Sequence, residues 1–71
     1  MTIEQLKALG YSIKADKYGY QVRLDDKFVY GAGVAGKPKM HWQHARKNIE
    51  QNTETAWYLA RKHYERTLDI T

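Results

Sequence analysis

The sequence predicts a single α+β domain over residues 1–71: a short N-terminal helix, a three-stranded antiparallel meander, and a long C-terminal helix packed on one face of the sheet. Three observations predict it. Apolar and polar residues alternate between Tyr11 and Tyr30, the period of half-buried strands. Turn residues interrupt that alternation twice, with connections so short that neighbouring strands must run antiparallel. From Pro38 onward the apolar spacing changes to three and four, the period of a helix.

At the N-terminus, Thr2-Ile3-Glu4-Gln5 reads as a capping box, with Thr2 as N-cap and Gln5 reaching back to it. Ile3, Leu6 and Leu9 follow at helical spacing, and Gly10 supplies a left-handed stop. So short a helix is not stable alone, and these three side chains are expected to dock on the main body. Tyr11, Ile13 and Ala15 alternate with Ser12 and Lys14 as the first strand, and Asp16-Lys17-Tyr18-Gly19 is a turn. Tyr20, Val22 and Leu24 alternate with Gln21 and Arg23 as the second strand. After the tight turn Asp25-Asp26-Lys27, Phe28-Val29-Tyr30 opens a third strand that fades into glycines. Ile13, Val22 and Leu24 are expected to point inward. The outer face would carry Ser12, Lys14, Gln21 and Arg23, with Tyr18 near a turn and either Val29 or the pair Phe28 and Tyr30.

Pro38 suits the first turn of a helix, where its missing N–H costs nothing. Trp42, Ala45 and Ile49 form a narrow apolar stripe. Beyond Asn52-Thr53-Glu54 a wider one follows: Ala56, Trp57, Leu59, Ala60, His63, Tyr64 and Leu68. One unbroken helix over 38–67 would run ~45 Å at 1.5 Å per residue. A compact chain of this length has a radius of gyration of only ~11 Å. Such a helix overhangs its sheet, and a homodimer through the long helix is one way to bury the excess. A break near Asn52, with Asn52 or Thr53 as a new N-cap, gives two helices instead. The sequence leaves both open.

Absence of cysteine excludes a disulfide framework and any Cys-built metal site, and suits a cytoplasmic protein. No apolar run approaches the ~18 residues of a membrane span, and the N-terminus lacks the character of a signal peptide. No membrane partner is expected. Gly31-Ala32-Gly33-Val34-Ala35-Gly36 fits the spacing of a dinucleotide-binding loop. That chemistry requires a parallel βαβ unit, which a meander cannot supply, so the glycines read as strand curl before the helix. His41 and His44 share a helix face, but two ligands do not make a zinc site, and no metal or cofactor is expected. There is one serine, Ser12, and Asp25-Asp26 sits where turn chemistry favours Asp. A catalytic site is not expected, nor an enzyme.

Charge carries the functional signal. The net charge is +4. Residues 37–47 hold four fixed cations, two histidines and no acid, so this one window matches the whole excess. Lys37, Lys39, Arg46 and Lys47, with the free N–H groups of a helix start, would form an anion cradle. Lysines at that position oppose the helix dipole, a local rule broken without evident compensation. Lys14 and Arg23 on the sheet form a second patch. The expected function is a non-enzymatic nucleic-acid-binding domain, for duplex DNA, with these six residues on phosphates. The alternative is a small protein-interaction or inhibitor module that binds an acidic protein surface, or itself, through Trp57, Tyr58 and Tyr64.

Gly19-Tyr20-Gln21-Val22-Arg23-Leu24, then Asp26-Lys27-Phe28-Val29-Tyr30-Gly31, then Glu54-Thr55-Ala56-Trp57-Tyr58-Leu59-Ala60 resembles the AP2-type and integrase arm-binding DNA-binding domains over residues 11–64. The resemblance implies a three-stranded sheet packed on one helix, with the sheet face in the major groove. It would turn Lys14, Gln21, Arg23 and Tyr30 toward DNA. This chain differs in the stretch from Gly36 to Asn52, where that family passes directly from strand to helix. Small size and strand–helix make-up also resemble accessory proteins of bacteriophages and prophages, among which DNA binders and protein-blocking inhibitors both occur.

Overall fold

A computed structural model describes residues 1–69. The elements run α1 (Ile3–Ala8), β1 (Tyr11–Ala15), β2 (Gly19–Leu24), β3 (Lys27–Gly33) and α2 (Trp42–Asp69). The three strands form an open antiparallel sheet in the order β1-β2-β3, and both helices lie on one side of it. This is the α+β arrangement that the sequence predicts.

Local chemistry sets the first turns. The Thr2 hydroxyl accepts from the Gln5 N–H while the Gln5 amide oxygen accepts from the Thr2 N–H, closing the capping box of α1. Gly10, at φ +102°, then swings the chain into β1; a Cβ here would collide with the Asp25 carboxylate. The Gly10 carbonyl accepts from the Asp25 N–H at 3.0 Å, so the exit of α1 is fastened to the β2–β3 turn. Docking of α1 is narrower than expected. Leu6 is 2% exposed, but Ile3 and Leu9 remain 45% and 43% exposed. Six residues of helix turn one side chain fully onto the core.

At the β1–β2 turn the Asp16 carboxylate accepts from the N–H groups of Tyr18 and Gly19, at 2.8 and 2.9 Å. Asp25 and Asp26, at φ +50° and +64°, form a two-residue β2–β3 turn whose strand partners are Leu24 and Lys27. Register puts Ile13, Val22 and Tyr30 in one row on the helix side. A bulge beside Val22 and Arg23 leaves Val29 as the extra residue of β3. The bulge separates Phe28 from Tyr30, which strict alternation would place on one face. Phe28 goes outward opposite Arg23, Tyr30 stays on the helix side against Tyr20, and Val29 packs on the core.

Two features of the long helix differ from the sequence reading or decide between its alternatives. It begins at Trp42, not at Pro38. Proline keeps its preceding residue out of the helical region, and the Pro38 carbonyl is taken by the Tyr18 hydroxyl at 2.9 Å. His41 stands at the helix start instead: its carbonyl accepts from the Ala45 N–H at 2.9 Å and its Nδ1 from the Gln43 N–H at 3.3 Å. There is no break at Asn52. The Asn52 amide donates to the Asp16 carbonyl at 2.7 Å, and the Thr53 hydroxyl donates to the Ile49 carbonyl one turn back at 2.7 Å. Neither side chain is available to cap.

The core is small: Leu6, Tyr11, Val22, Ala56 and Ala60, ringed by half-buried Ile13, Leu24, Trp57, Leu59 and Tyr64. Helix α2 lies against β1, β2 and α1, but not against β3. The molecule measures 45 × 22 × 19 Å with a radius of gyration of 13.3 Å, above the ~11 Å of a compact chain this long, so α2 overhangs its sheet. His63 is half-buried, as its apolar surroundings predict, and its Nδ1 lies 2.7 Å from the Tyr11 hydroxyl. No helix among the described residues is long and apolar enough to cross a membrane.

Leu6→Ala is expected to cost about 2–5 kcal/mol in urea unfolding, against roughly 0.5 kcal/mol for Ile3→Ala. Equal costs would show that α1 does not hang on Leu6. Burial, and secondarily the Tyr64 phenol, raises the pKa of Tyr11 above its ordinary 10.0. The folded state therefore holds this proton more tightly than the unfolded chain. Its stabilisation is complete below the unfolded value and is lost as pH climbs through the higher folded value. Thermal midpoints should fall above pH ~10, and Tyr11→Phe should show a smaller alkaline fall. An undiminished fall in Tyr11→Phe would place its source elsewhere.

Candidate nucleic-acid interface

In a three-stranded meander, the third strand leaves the sheet at the end where the first turn lies. Gly33 accordingly pairs with Gly19, and the Val34 N–H donates to the Tyr18 carbonyl at 2.9 Å. The connection that follows must therefore pass the β1–β2 turn, and residues 48–52 of α2 lie beside it. Side chains stitch the three together. The Tyr18 hydroxyl holds the Pro38 carbonyl, the Asn52 amide holds the Asp16 carbonyl, and the Asn48 amide reaches the Lys17 carbonyl at 3.4 Å and the Met40 sulfur at 3.2 Å.

This end gathers Lys14, Lys17, Lys37, Lys39, Arg46 and Lys47 against two acids, Asp16 and Glu50. Both acids are engaged. Asp16 accepts the turn N–H groups, and Glu50 lies 3.8 Å from Arg46. Among the described residues, the five lysines of this cluster form no ion pair. The Lys17 ammonium sits 5.2 Å from the Tyr18 ring centroid. At the other end of the sheet Arg23 and Lys27 are balanced by Asp25 and Asp26. The first turn of α2 contains no acid, and its Gln43 N–H is taken by the neutral acceptor His41 Nδ1.

Of the six phosphate contacts that the sequence predicts, Lys37, Lys39, Arg46 and Lys47 are exposed and brought to this end, and Lys14 adjoins it. Lys14 lies on the outer side of the sheet opposite Gln21, edging a shallow hollow of about 310 Å³. Arg23 shares that outer side but stands toward the β2–β3 turn, where its guanidinium donates to the Asp26 carbonyl at 2.6 Å. It does not join the cluster. Lys37 and Lys39 precede the helix rather than occupying its first turn, so the expected conflict with the dipole does not arise there.

Sequence reasoning missed Lys17. The signal was available: a meander's first turn and its last exit share an end, which brings Lys17 to the end where the connection to α2 begins. Spacing alone left Trp42 ambiguous, on a stripe with Ala45 and Ile49. Trp42 is 65% exposed, because it lies where α2 has run past the sheet. Its ring is 5.8 Å from that of His41, and it edges a concave surface with His44, Arg46 and Lys47.

Trp57 and Tyr58 line a common hollow with Met1, Ile3, Leu6 and Arg61, and Tyr64 is not among its lining residues. Trp57 is half-buried against α1 with the Lys7 ammonium 5.9 Å from its ring, and Tyr64 is half-buried beside the core. Tyr58 is 50% exposed, with Arg61 and Lys62 at 5.4 and 5.6 Å from its ring. It borders a groove of about 710 Å³ between β3 and α2, floored by Val22, Val29 and Leu59. Comparison of the chain with protein-family models, with curated proteins and with solved structures finds no match.

Asn52→Ala is expected to cost about 0.5–1.5 kcal/mol in urea unfolding, the net worth of the exposed bond from its amide to the Asp16 carbonyl. A change below ~0.3 kcal/mol would mean that the bond does not fasten α2 to the turn.

Proposed function

We propose that the protein is a non-enzymatic nucleic-acid-binding domain that grips backbone phosphates with its basic end. The observation that carries this reading is the convergence of Lys14, Lys17, Lys37, Lys39 and Lys47, from three separate segments, with no internal ion pair. Unpaired cations at this density are relieved by a polyanion, and the side-chain ties between turn, loop and helix hold them in place before it arrives. Backbone contact of this kind carries no base specificity.

A protein partner is the second reading. The uncovered groove between β3 and α2 favours it, with Tyr30 and Tyr58 as aromatic anchors and Lys62 and Arg66 suited to an acidic surface.

Anisotropy of labelled random-sequence DNA tests the first reading. Between ~50 and ~200 mM salt, four phosphate contacts are expected to weaken binding by roughly 50- to 150-fold. The double substitution Lys37→Glu, Lys39→Glu should weaken it at least ~10-fold at the lower salt while leaving the thermal midpoint near that of the parent. Salt-independent binding, or charge reversal without effect, overturns the assignment. Tyr58→Ala should leave DNA binding unchanged.

A further inference from the structure

We propose that the basic end takes an unpaired, single-stranded stretch of nucleic acid, and that Trp42 is the platform on which one of its bases stacks. The proposal rests on the phosphate reading above and adds the state of the strand. Two observations carry it.

The first is the company Trp42 keeps. Its exposed indole is not part of an apolar surface: the His41 ring lies 5.8 Å away at 31°, the His44 ring is 6.5 Å from that of His41, and Gln43, Arg46, Lys47 and Glu50 line the same concavity. Glu50 is engaged by Arg46, and Lys47 is left without an ion pair among the described residues. Rings interleaved with cations suit a nucleotide, whose base seeks a π-face and whose phosphate seeks a positive charge. In a closed duplex the bases already stack on one another and leave an indole no face to meet.

The second is the layout of the cations. They wrap around the end of the molecule instead of lining one side: Lys14 on the outer side of the sheet, Lys37 and Lys39 on the connection between the layers, Lys47 on the helix. A duplex, with a persistence length of ~50 nm, is straight on this scale and meets one side. A single strand bends around and reaches them all. Asn48 and Asn52, two to three turns into α2, fasten the helix to the turn, and Trp42 continues from them on the same helix.

The test compares labelled oligo(dT) with a duplex of equal length, by anisotropy at ~50 mM salt, for the parent, Trp42→Leu, Trp42→Phe, and the Lys37→Glu, Lys39→Glu pair. The parent is expected to prefer oligo(dT). Trp42→Leu should weaken oligo(dT) binding by about 5- to 150-fold, the range for losing one stacked base, and leave duplex binding within about twofold. Trp42→Phe should recover part of the loss, which a purely structural role would not require. Circular dichroism melts check that each variant folds, as substitution at an exposed site predicts. Quenching of Trp42 fluorescence by oligo(dT), in a Trp57→Phe background or as the difference from Trp42→Leu, reads stacking directly. If the lysine pair weakens binding but Trp42→Leu does not, stacking falls while the phosphate reading stands. Preference for duplex overturns the single-strand assignment. If the parent binds neither probe, both readings fall.

Discussion

The packing of α2 on the sheet through Ala56 and Ala60 is the arrangement on which the rest depends. Both alanines are fully buried, one turn apart, and their small side chains let the helix backbone settle over Val22 and Tyr11. A helix about 10 Å across placed this way spans two strands at ~4.8 Å spacing, not three. It lies over β1 and β2, and the helix side of β3 goes uncovered. Length makes the second mismatch. The strands have 5 to 7 residues and α2 has 28, so a large part of the helix runs past the sheet. One close contact thus accounts for both regions left uncovered: the groove beside β3, and the helix start with its exposed Trp42.

Local signals were the legible part of the fold. The capping box at Thr2, the alternation through β1 and β2, the Asp16 turn and the stop at Gly10 each depend on residues a few positions apart, and each stands where the sequence puts it. Illegible features depend on something distant. The bulge at Val29 has no residue signature, because its position follows from how β3 lies on β2. Asn52 and Thr53 look like caps, yet one is spent on the Asp16 carbonyl and the other within the helix. Periodicity placed Trp42 on a stripe with Ala45 and Ile49 but could not say that the sheet ends before reaching it.

The candidate site divides in the same way. Lys37, Lys39, Arg46 and Lys47 are neighbours in sequence, so their clustering survives any arrangement of the chain. Adding Lys14 and Lys17 required only the topology of a meander, which the sequence already implied. Arg23 was grouped with Lys14 because both face outward, but strand position separates them: β2 carries Arg23 toward Asp25 and Asp26, where charge is balanced. Sharing a face is not the same as sharing a patch.

Among the described residues, charge at the basic end has little structural use beyond the Arg46–Glu50 pair and Lys17 over the Tyr18 ring. With α2 beginning at Trp42, Lys37 and Lys39 stand before the helix, and the dipole acts only weakly beyond its first turn. What remains is repulsion among exposed lysines, softened by a Debye length of ~8 Å at physiological salt. Such repulsion is small enough for the fold to tolerate. Nothing within the described chain turns it to advantage, since Asp16 serves the turn backbone and Glu50 serves Arg46. Meanwhile three side-chain ties, from Tyr18, Asn48 and Asn52, hold the loop and residues 48–52 of α2 against the turn that carries Lys17. Cations that repel one another, yet are held together by neutral hydrogen bonds, form a surface that gains stability when an anion lies across it. That inversion, in which the scaffold supplies the attraction and a bound anion would relieve the cost, is the physical reason the proposed phosphate contact is placed at this end and not at the balanced one.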